Sequence, residues 1–192
     1  MIEFLENIDR EVLFAINANH NSFLDQLMWI ISETYFGIPF YLLFAFLSYR
    51  TFGPKGLVLF IISAAITIGL TDLIAKHLFK ELFQRYRPSQ NLKIWEQLHY
   101  VNDYRGGQFG FVSSHAANMF AIATLSFATL MKNQSKWWYL IFIFPIIVSY
   151  SRVYLGVHYP SDVTCGGLLG IFLGWLIYRI LAIQIEPLRQ IK

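Results

Sequence analysis

Charge is what this sequence has least of. Of 192 residues, only 14% are Asp, Glu, Lys or Arg, against roughly 25% in an average soluble domain. That is too few to cover the surface of a water-soluble globule of this size. Cysteine is nearly absent as well. Cys165 stands alone, which excludes an internal disulfide framework and an all-thiolate metal site. Neither sign of charge dominates: 15 basic and 12 acidic residues leave a net charge of +3, small and scattered, with no argument in it for a nucleic-acid partner. No basic stretch precedes an uninterrupted apolar run at the start, so no cleavable signal is expected there. What is abundant is apolar, with 56% hydrophobic and 18% aromatic residues and a mean hydropathy of +0.46. Such a composition excludes disorder. It predicts an all-α polytopic membrane helical bundle, a single domain over residues 1–192.

A helix needs about 20 mostly apolar residues to cross the hydrocarbon core. Five stretches qualify as transmembrane helices. They are Leu24–Tyr49, interrupted by Glu33 and Pro39, then Gly56–Phe79, Ser114–Met131, Trp137–Leu155 and Pro160–Ile185. Pro145 is tolerable inside the fourth, because neighbouring helices satisfy the freed carbonyl. Ahead of them, residues 1–22 place Glu3, Glu6, Asp9, Arg10 and Glu11 among apolar residues at mostly helical spacing. This segment is expected to be an amphipathic helix lying on the membrane or the bundle, with packing as its role. Gly166, Gly170 and Gly174 recur at every fourth position of the last span. The stripe suits close helix approach inside one bundle, the favoured case, or between two copies in a homo-oligomer.

The short links show which ends lie together. Arg50 and Lys55 separate the first two spans, Lys132 and Lys136 the third and fourth, and Arg179, Arg189 and Lys192 close the chain. An excess of Lys and Arg marks the cytoplasmic side. Trp137, Trp138 and Tyr139 fit an aromatic belt at that interface. The long polar connection, residues 84–112, then lies outside.

With the spans so arranged, the informative residues gather at the outer face. Lys80, Arg85, Arg87 and Pro88 leave the second span. Ser113, Ser114 and His115 open the third. Ser151, Arg152 and His158 leave the fourth, and Asp162 falls in the first turn of the fifth. Charges beside a membrane span are costly and default to function. Snorkelling explains a single terminal Lys or Arg, but not Lys80, Arg87 and Arg152 together with two histidines and a carboxylate. Those groups suit cleavage of a phosphate ester. Lys80, Arg87 and Arg152 can neutralise the phosphate, with Arg supplying forked donors. Helix N-termini at Ser114 and Pro160 aim free N–H groups at the same region. Asp162 can fix the tautomer of His158 and leave its other nitrogen to attack, while His115 remains as acid for the departing alkoxide. The scheme needs no metal or other cofactor, and its carboxylates are too few for a two-metal phosphatase.

The same residues carry a resemblance. Lys80 is followed after six residues by Arg87-Pro88. Ser151-Arg152 is followed after five by His158, and after three more by Asp162. Between them stands Val112-Ser113-Ser114-His115. The sequence resembles the type 2 phosphatidic acid phosphatase superfamily, membrane lipid phosphatases related to the vanadium haloperoxidases. Its three motifs are Lys-x6-Arg-Pro, Pro-Ser-Gly-His and Ser-Arg-x5-His-x3-Asp. The outer two match in full, and the middle one keeps Ser and His while replacing Pro and Gly. The resemblance implies His158 as the nucleophile of a phosphohistidine, Asp162 as its orienting partner and His115 as the acid. It implies phosphate binding by Lys80, Arg87, Ser113 and Arg152. Ser114, where the family has Gly, keeps its N–H and adds a hydroxyl donor. A lipid phosphate is the implied substrate, with undecaprenyl diphosphate first, lipid A phosphate close behind, then phosphatidylglycerol phosphate and phosphatidic acid. The implied location is a bacterial inner membrane, with the site facing the periplasm.

Several residues stay outside this scheme. Asp72 and Lys76 are expected to form an ion pair in the bundle, and His77 to sit at the interface. His20 and His99 stand alone and read as structural. Trp95, Tyr100 and Tyr104 either cover the site or touch lipid. Arg105, before Gly106 and Gly107, is a candidate for head-group discrimination, although such glycines also serve turns alone. An anion or lipid transporter and a structural membrane subunit are the alternatives from other classes. No internal repeat supports the first.

Overall fold

A computed structural model describes residues 2–130 and 136–190. Met131 and Lys132, the end of the third expected span and one of its inner cations, lie outside the described residues, as do Lys192 and the side chains of Trp137 and Arg189. Helices dominate. They are α1 (Ile2–Asn17), α2 (Ser22–Ser32), α3 (Ile38–Leu73), α4 (Glu81–Phe83), α5 (Ser114–Leu130), α6 (Ile143–Tyr154) and α7 (Pro160–Gln190). A widened π-helical turn, Ile74–Lys80, joins α3 to α4. Among the described residues, the only β pairing is the bridge between Tyr86 and Phe109.

The first expected span is corrected by the structure. Leu24–Tyr49 is not one helix: α2 ends where Glu33 turns extended (φ −72°, ψ 142°) and its N–H closes on Ile30 O. A 3₁₀ turn, Thr34–Gly37, follows, and Pro39 sits in the first turn of α3. Proline lacks an N–H that a first turn leaves unbonded anyway, so it starts a helix more readily than it interrupts one. The remainder of that span joins the second in a single helical run, Thr34–Phe83. The run reverses at Gly53, whose φ of 70° and ψ of −164° are open essentially to glycine alone. Tyr41 and Asp72 consequently line one cleft, with the two arms of α3 side by side. This run and Pro160–Gln184 are the two described helices long and apolar enough to cross a membrane.

Outward-facing apolar residues form a belt. Leu42, Phe46, Ile61 and Ile66 of α3, Ile146 of α6, and Leu168, Phe172 and Ile180 of α7 are all exposed. Water would penalise so extended a surface, whereas lipid would not. Inside, Phe40, Phe44, Phe60, Ile122, Leu125 and Ile177 make the main core. Helix α7 packs on α5 through its glycine stripe. A Cβ at Gly166 would stand 2.5 Å from Ser113 O, and at Gly170 and Gly174 it would press closer still on the carbonyls of Ala117 and Ala121. The stripe therefore serves packing within the chain. Gly170→Val should destabilise the folded protein by about 3 kcal/mol or more, because the obstacle is backbone and cannot turn aside. Thermal unfolding in detergent measures this.

Helix α1 buries two polar residues together with a leucine. Asp9, Leu13 and Asn17 are buried, while Leu5, Ile8 and Val12 are exposed. Leu13, with Phe14 and Ile16, packs on the bundle, and the exposed apolar residues suit a helix that also touches lipid.

Candidate active site

The site lies where α4, α5, α6 and α7 begin or end. After α4 the chain becomes extended, and the connection over residues 84–112 folds back on it: Arg87 N–H donates to Gln108 O (3.0 Å) and Gly110 N–H to Arg85 O (2.9 Å). Alternate residues of an extended segment share a face, which directs Arg85 and Arg87 together. Gly106 has a φ of +66°, and a Cβ there would fall 2.6 Å from Arg87 Nη1. Only glycine both adopts that backbone and lets the loop lie on the guanidinium. Arg105 itself stacks over Trp95 and Tyr100, 4.6 and 4.7 Å from their ring centroids. It is held by aromatic faces.

At the end of α6, Gly156 (φ +67°) turns the chain, and Val157 N–H donates to Arg152 O (3.2 Å). His158 is thereby drawn into the protein, 1% exposed. Its Nδ1 stands 3.4 Å from Asp162 Oδ2, and no hydrogen bond is made between them. The same oxygen accepts the Tyr159 N–H at 2.9 Å. Asp162 is fully buried, and its other oxygen accepts from Arg85 Nη1 at 2.8 Å. Burial, and then the charges of Arg87, Arg152 and Lys80, hold the pKa of His158 well below that of a free imidazole. The neutral ring keeps a lone pair at physiological pH.

The expected cations converge here. Lys80 Nζ donates to Ser114 Oγ at 3.0 Å. Arg87 bonds Phe109 O through Nε (3.2 Å), and its buried Nη1 has no protein partner. Burial, reinforced by Arg152, pushes its pKa down to about 10, and it stays charged. Arg152 is anchored by Ser32 Oγ and by the Tyr104 hydroxyl (3.3 Å), while its buried Nε is unpartnered. Donors left unpaired in a buried cationic cluster suit an anion. Ser113 is wholly buried, and its N–H donates to the carbonyl of Asp162 (3.0 Å), tying α5 to α7. His115, one residue into α5, shares a cleft of about 180 Å³ with Glu33, Tyr41, Asp72, Ser114 and Asn118.

Two residues of this network, Asp9 and Arg85, have no role assigned from the sequence motifs, although Arg85 was expected at the same face. Asp9, on the supposed packing helix, accepts from Arg85 Nη2 (2.7 Å), from Ser161 N–H (2.8 Å) and from the Ser161 hydroxyl. It caps α7 and holds the far side of Arg85, which in turn holds Asp162. Among Glu6, Arg10 and Glu11, nothing in the sequence sets it apart. Arg85 had a signal, the i, i+2 spacing from Arg87. The expected Asp72–Lys76 pair is not formed. Asp72 instead accepts from Asn118 Nδ2 (2.9 Å), and Lys76 is exposed. His77 pairs with Glu81 at 2.8 Å.

The PAP2 superfamily pattern matches residues 56–186, and the chain belongs to that superfamily. A lipid A 4'-phosphatase of Bacteroides thetaiotaomicron is 36% identical over 94% of this chain and 80% of its own length. An undecaprenyl-diphosphatase of Sulfolobus acidocaldarius is 32% identical over 95% and 80%. A transmembrane PAP2-type phosphatidylglycerolphosphate phosphatase from Bacillus subtilis shares the fold, with a TM-score of 0.67, 23% identity, and coverage of 92% of this chain and 85% of that one. The protein is a membrane phosphatase of this superfamily.

Proposed function

We propose that this phosphatase hydrolyses a phosphate monoester on a sugar-bearing lipid of the lipid A type through a phosphohistidine on His158. The carrying observation is His158, buried beside Asp162 and within the field of Lys80, Arg87 and Arg152. Asp162 Oδ2 favours the proton on Nδ1 and so leaves the lone pair on Nε2. That nitrogen attacks phosphorus, an N–P bond forms, and the bond to the lipid oxygen breaks. His115 gives its proton to the leaving oxygen. A water then attacks the phosphohistidine, His115 takes its proton, and inorganic phosphate leaves His158 free. Lys80, Arg87, Arg152, Ser113 and the N–H groups at the start of α5 bind the phosphoryl oxygens, whose negative charge must be met throughout the transfer. Ser114 fixes the ammonium of Lys80 through its hydroxyl, a contact that glycine could not make.

The choice of lipid rests on the cleft beyond His115. Cleavage of a diphosphate releases an anionic lipid phosphate, which Glu33 and Asp72 would repel. Cleavage of a sugar phosphate releases a neutral hydroxyl, and those carboxylates, with the unpartnered Asn118 Oδ1, offer acceptors for the sugar hydroxyls. The similarity to a lipid A 4'-phosphatase points the same way. Undecaprenyl diphosphate becomes the second substrate, ahead of phosphatidylglycerol phosphate and phosphatidic acid. The whole chain acts as one domain crossing an inner membrane five times. Arg50, Lys55 and Arg179 lie on the cytoplasmic side and the site opens outward.

A phosphate-release panel of these four lipids tests the proposal. Lipid A phosphate should turn over ~10-fold faster than undecaprenyl diphosphate, and Glu33→Gln with Asp72→Asn should narrow that ratio several-fold by removing two repelling charges, each worth roughly 1 kcal/mol in a wet cleft. A preference for the diphosphate that the double variant leaves unchanged would overturn the assignment of the cleft.

A further inference from the structure

His20 and His99, apart in sequence, meet in the fold. Their rings stack with centroids 3.6 Å apart and planes within 4° of parallel. His99 Nε2 lies 3.0 Å from Asp25 Oδ2. One ligand-type atom from each of the three residues falls within 4.8 Å of the others. We propose that His20, Asp25 and His99 bind one divalent transition-metal ion of the zinc class, which staples the outer connection to the start of α2.

The donor set is the first reason. Two imidazoles and one carboxylate are a borderline-soft ligand set that favours zinc-like ions over magnesium or calcium. The support behind the ligands is the second. Asp25 Oδ1 is already engaged by the Tyr154 hydroxyl at 2.7 Å, which orients the carboxylate and leaves Oδ2 to coordinate. The backbone of His99 is clamped from both sides by the buried Asn17: its N–H donates to Asn17 Oδ1 (2.8 Å), and Asn17 Nδ2 donates to His99 O (3.0 Å) and Tyr154 O (2.8 Å). Outer partners of this kind set the orientation of metal ligands. Ligand bonds of about 2.0–2.1 Å require the donor atoms to draw together. Parallel rings cannot both aim a nitrogen at one ion, so one ring must turn. His20 is exposed, lies between α1 and α2, and can do so. Water completes the coordination.

The staple would act on the site only at a distance. Five residues beyond His99, Tyr104 packs edge-on against Trp29 of α2 (5.4 Å) and accepts from Arg152 Nη2. A metal at His99 would hold this stretch against α2, and it touches neither His158 nor the phosphate-binding cations.

The test uses the full chain in detergent, without a histidine tag, stripped by chelator and titrated with Zn²⁺ and separately with Co²⁺. One Zn²⁺ per chain, a rise in Tm, and visible absorption from low-symmetry Co²⁺ are expected. His20→Ala should weaken Zn²⁺ binding at least tenfold while keeping phosphate release near wild type. His20 contributes little beyond the stack, so this variant folds. His99→Ala should abolish stoichiometric binding. Less than stoichiometric Zn²⁺ in the wild type, or unchanged affinity in His20→Ala, would overturn the proposal. Loss of phosphate release on metal removal at 25 °C would instead overturn the metal-free mechanism and leave the binding site standing.

Discussion

Alanine at His158 should lower phosphate release by roughly 10⁴-fold or more, the scale seen when a catalytic nucleophile is removed. The protein should remain folded. His158 is 1% exposed but makes no hydrogen bond through Nδ1, so alanine leaves a small void and strands only Asp162, which keeps Arg85 and the Tyr159 N–H. His115→Ala should behave differently. Formation of the phosphohistidine loses its acid and hydrolysis loses its base, so turnover falls by roughly 10²–10⁴-fold. A leaving group that needs no proton, such as an aryl phosphate, should restore the first step. Rapid quenching of His115→Ala with such a substrate should trap alkali-stable, acid-labile phosphoprotein, which His158→Ala never forms. Retained turnover in both alanine variants would exclude the proposed chemistry.

Arg85→Ala should have the largest effect on stability. Its guanidinium bridges Asp162, fully buried, and Asp9, nearly so, and it lies 4.2 Å over the ring of Tyr159. Burial works against its charge, but Asp162 and Asp9 outweigh it and raise its pKa above the ordinary arginine value. Removing it leaves two carboxylates facing each other through Ser161 without a cation, at a cost of about 3–5 kcal/mol. Thermal unfolding in detergent should register the loss as a fall in Tm. Activity should fall further than stability accounts for, because Asp162 is no longer held under His158. Arg85→Lys keeps the charge but loses the fork. It should recover part of the stability and reach only one of the two carboxylates. Asp9→Asn should be milder, since the amide oxygen can still accept from Ser161 N–H.

Much of the candidate site was legible because its residue types recur at fixed local spacing. Lys80 and Arg87 leave one helix together, and Ser151-Arg152 and His158 flank the turn into α7. Asp162 follows His158 at a distance that a helix N-terminus closes to 3.4 Å. The class of protein was equally plain, because a chain with so few charges must keep its apolar surface in lipid. Helix boundaries were less legible. Apolar content does not distinguish one long span from a short helix, a turn at Glu33 and a new helix begun by Pro39. Hydropathy sums over both.

By itself, then, the sequence determined the membrane class and picked out the cations, the two histidines and the carboxylate that the fold brings together. Each follows from residue type and short-range order. Only the tertiary structure decided what supports them. Asp9 reaches Ser161 across 152 residues, and Asn17 reaches the carbonyl of Tyr154 across 137. Ser32 anchors Arg152 across 120, and His20 stacks on His99, whose backbone Asn17 holds beside α1. No periodicity links such pairs. They are brought together by the packing of whole helices, and in a chain this poor in charge that packing determines which carboxylate each cation meets.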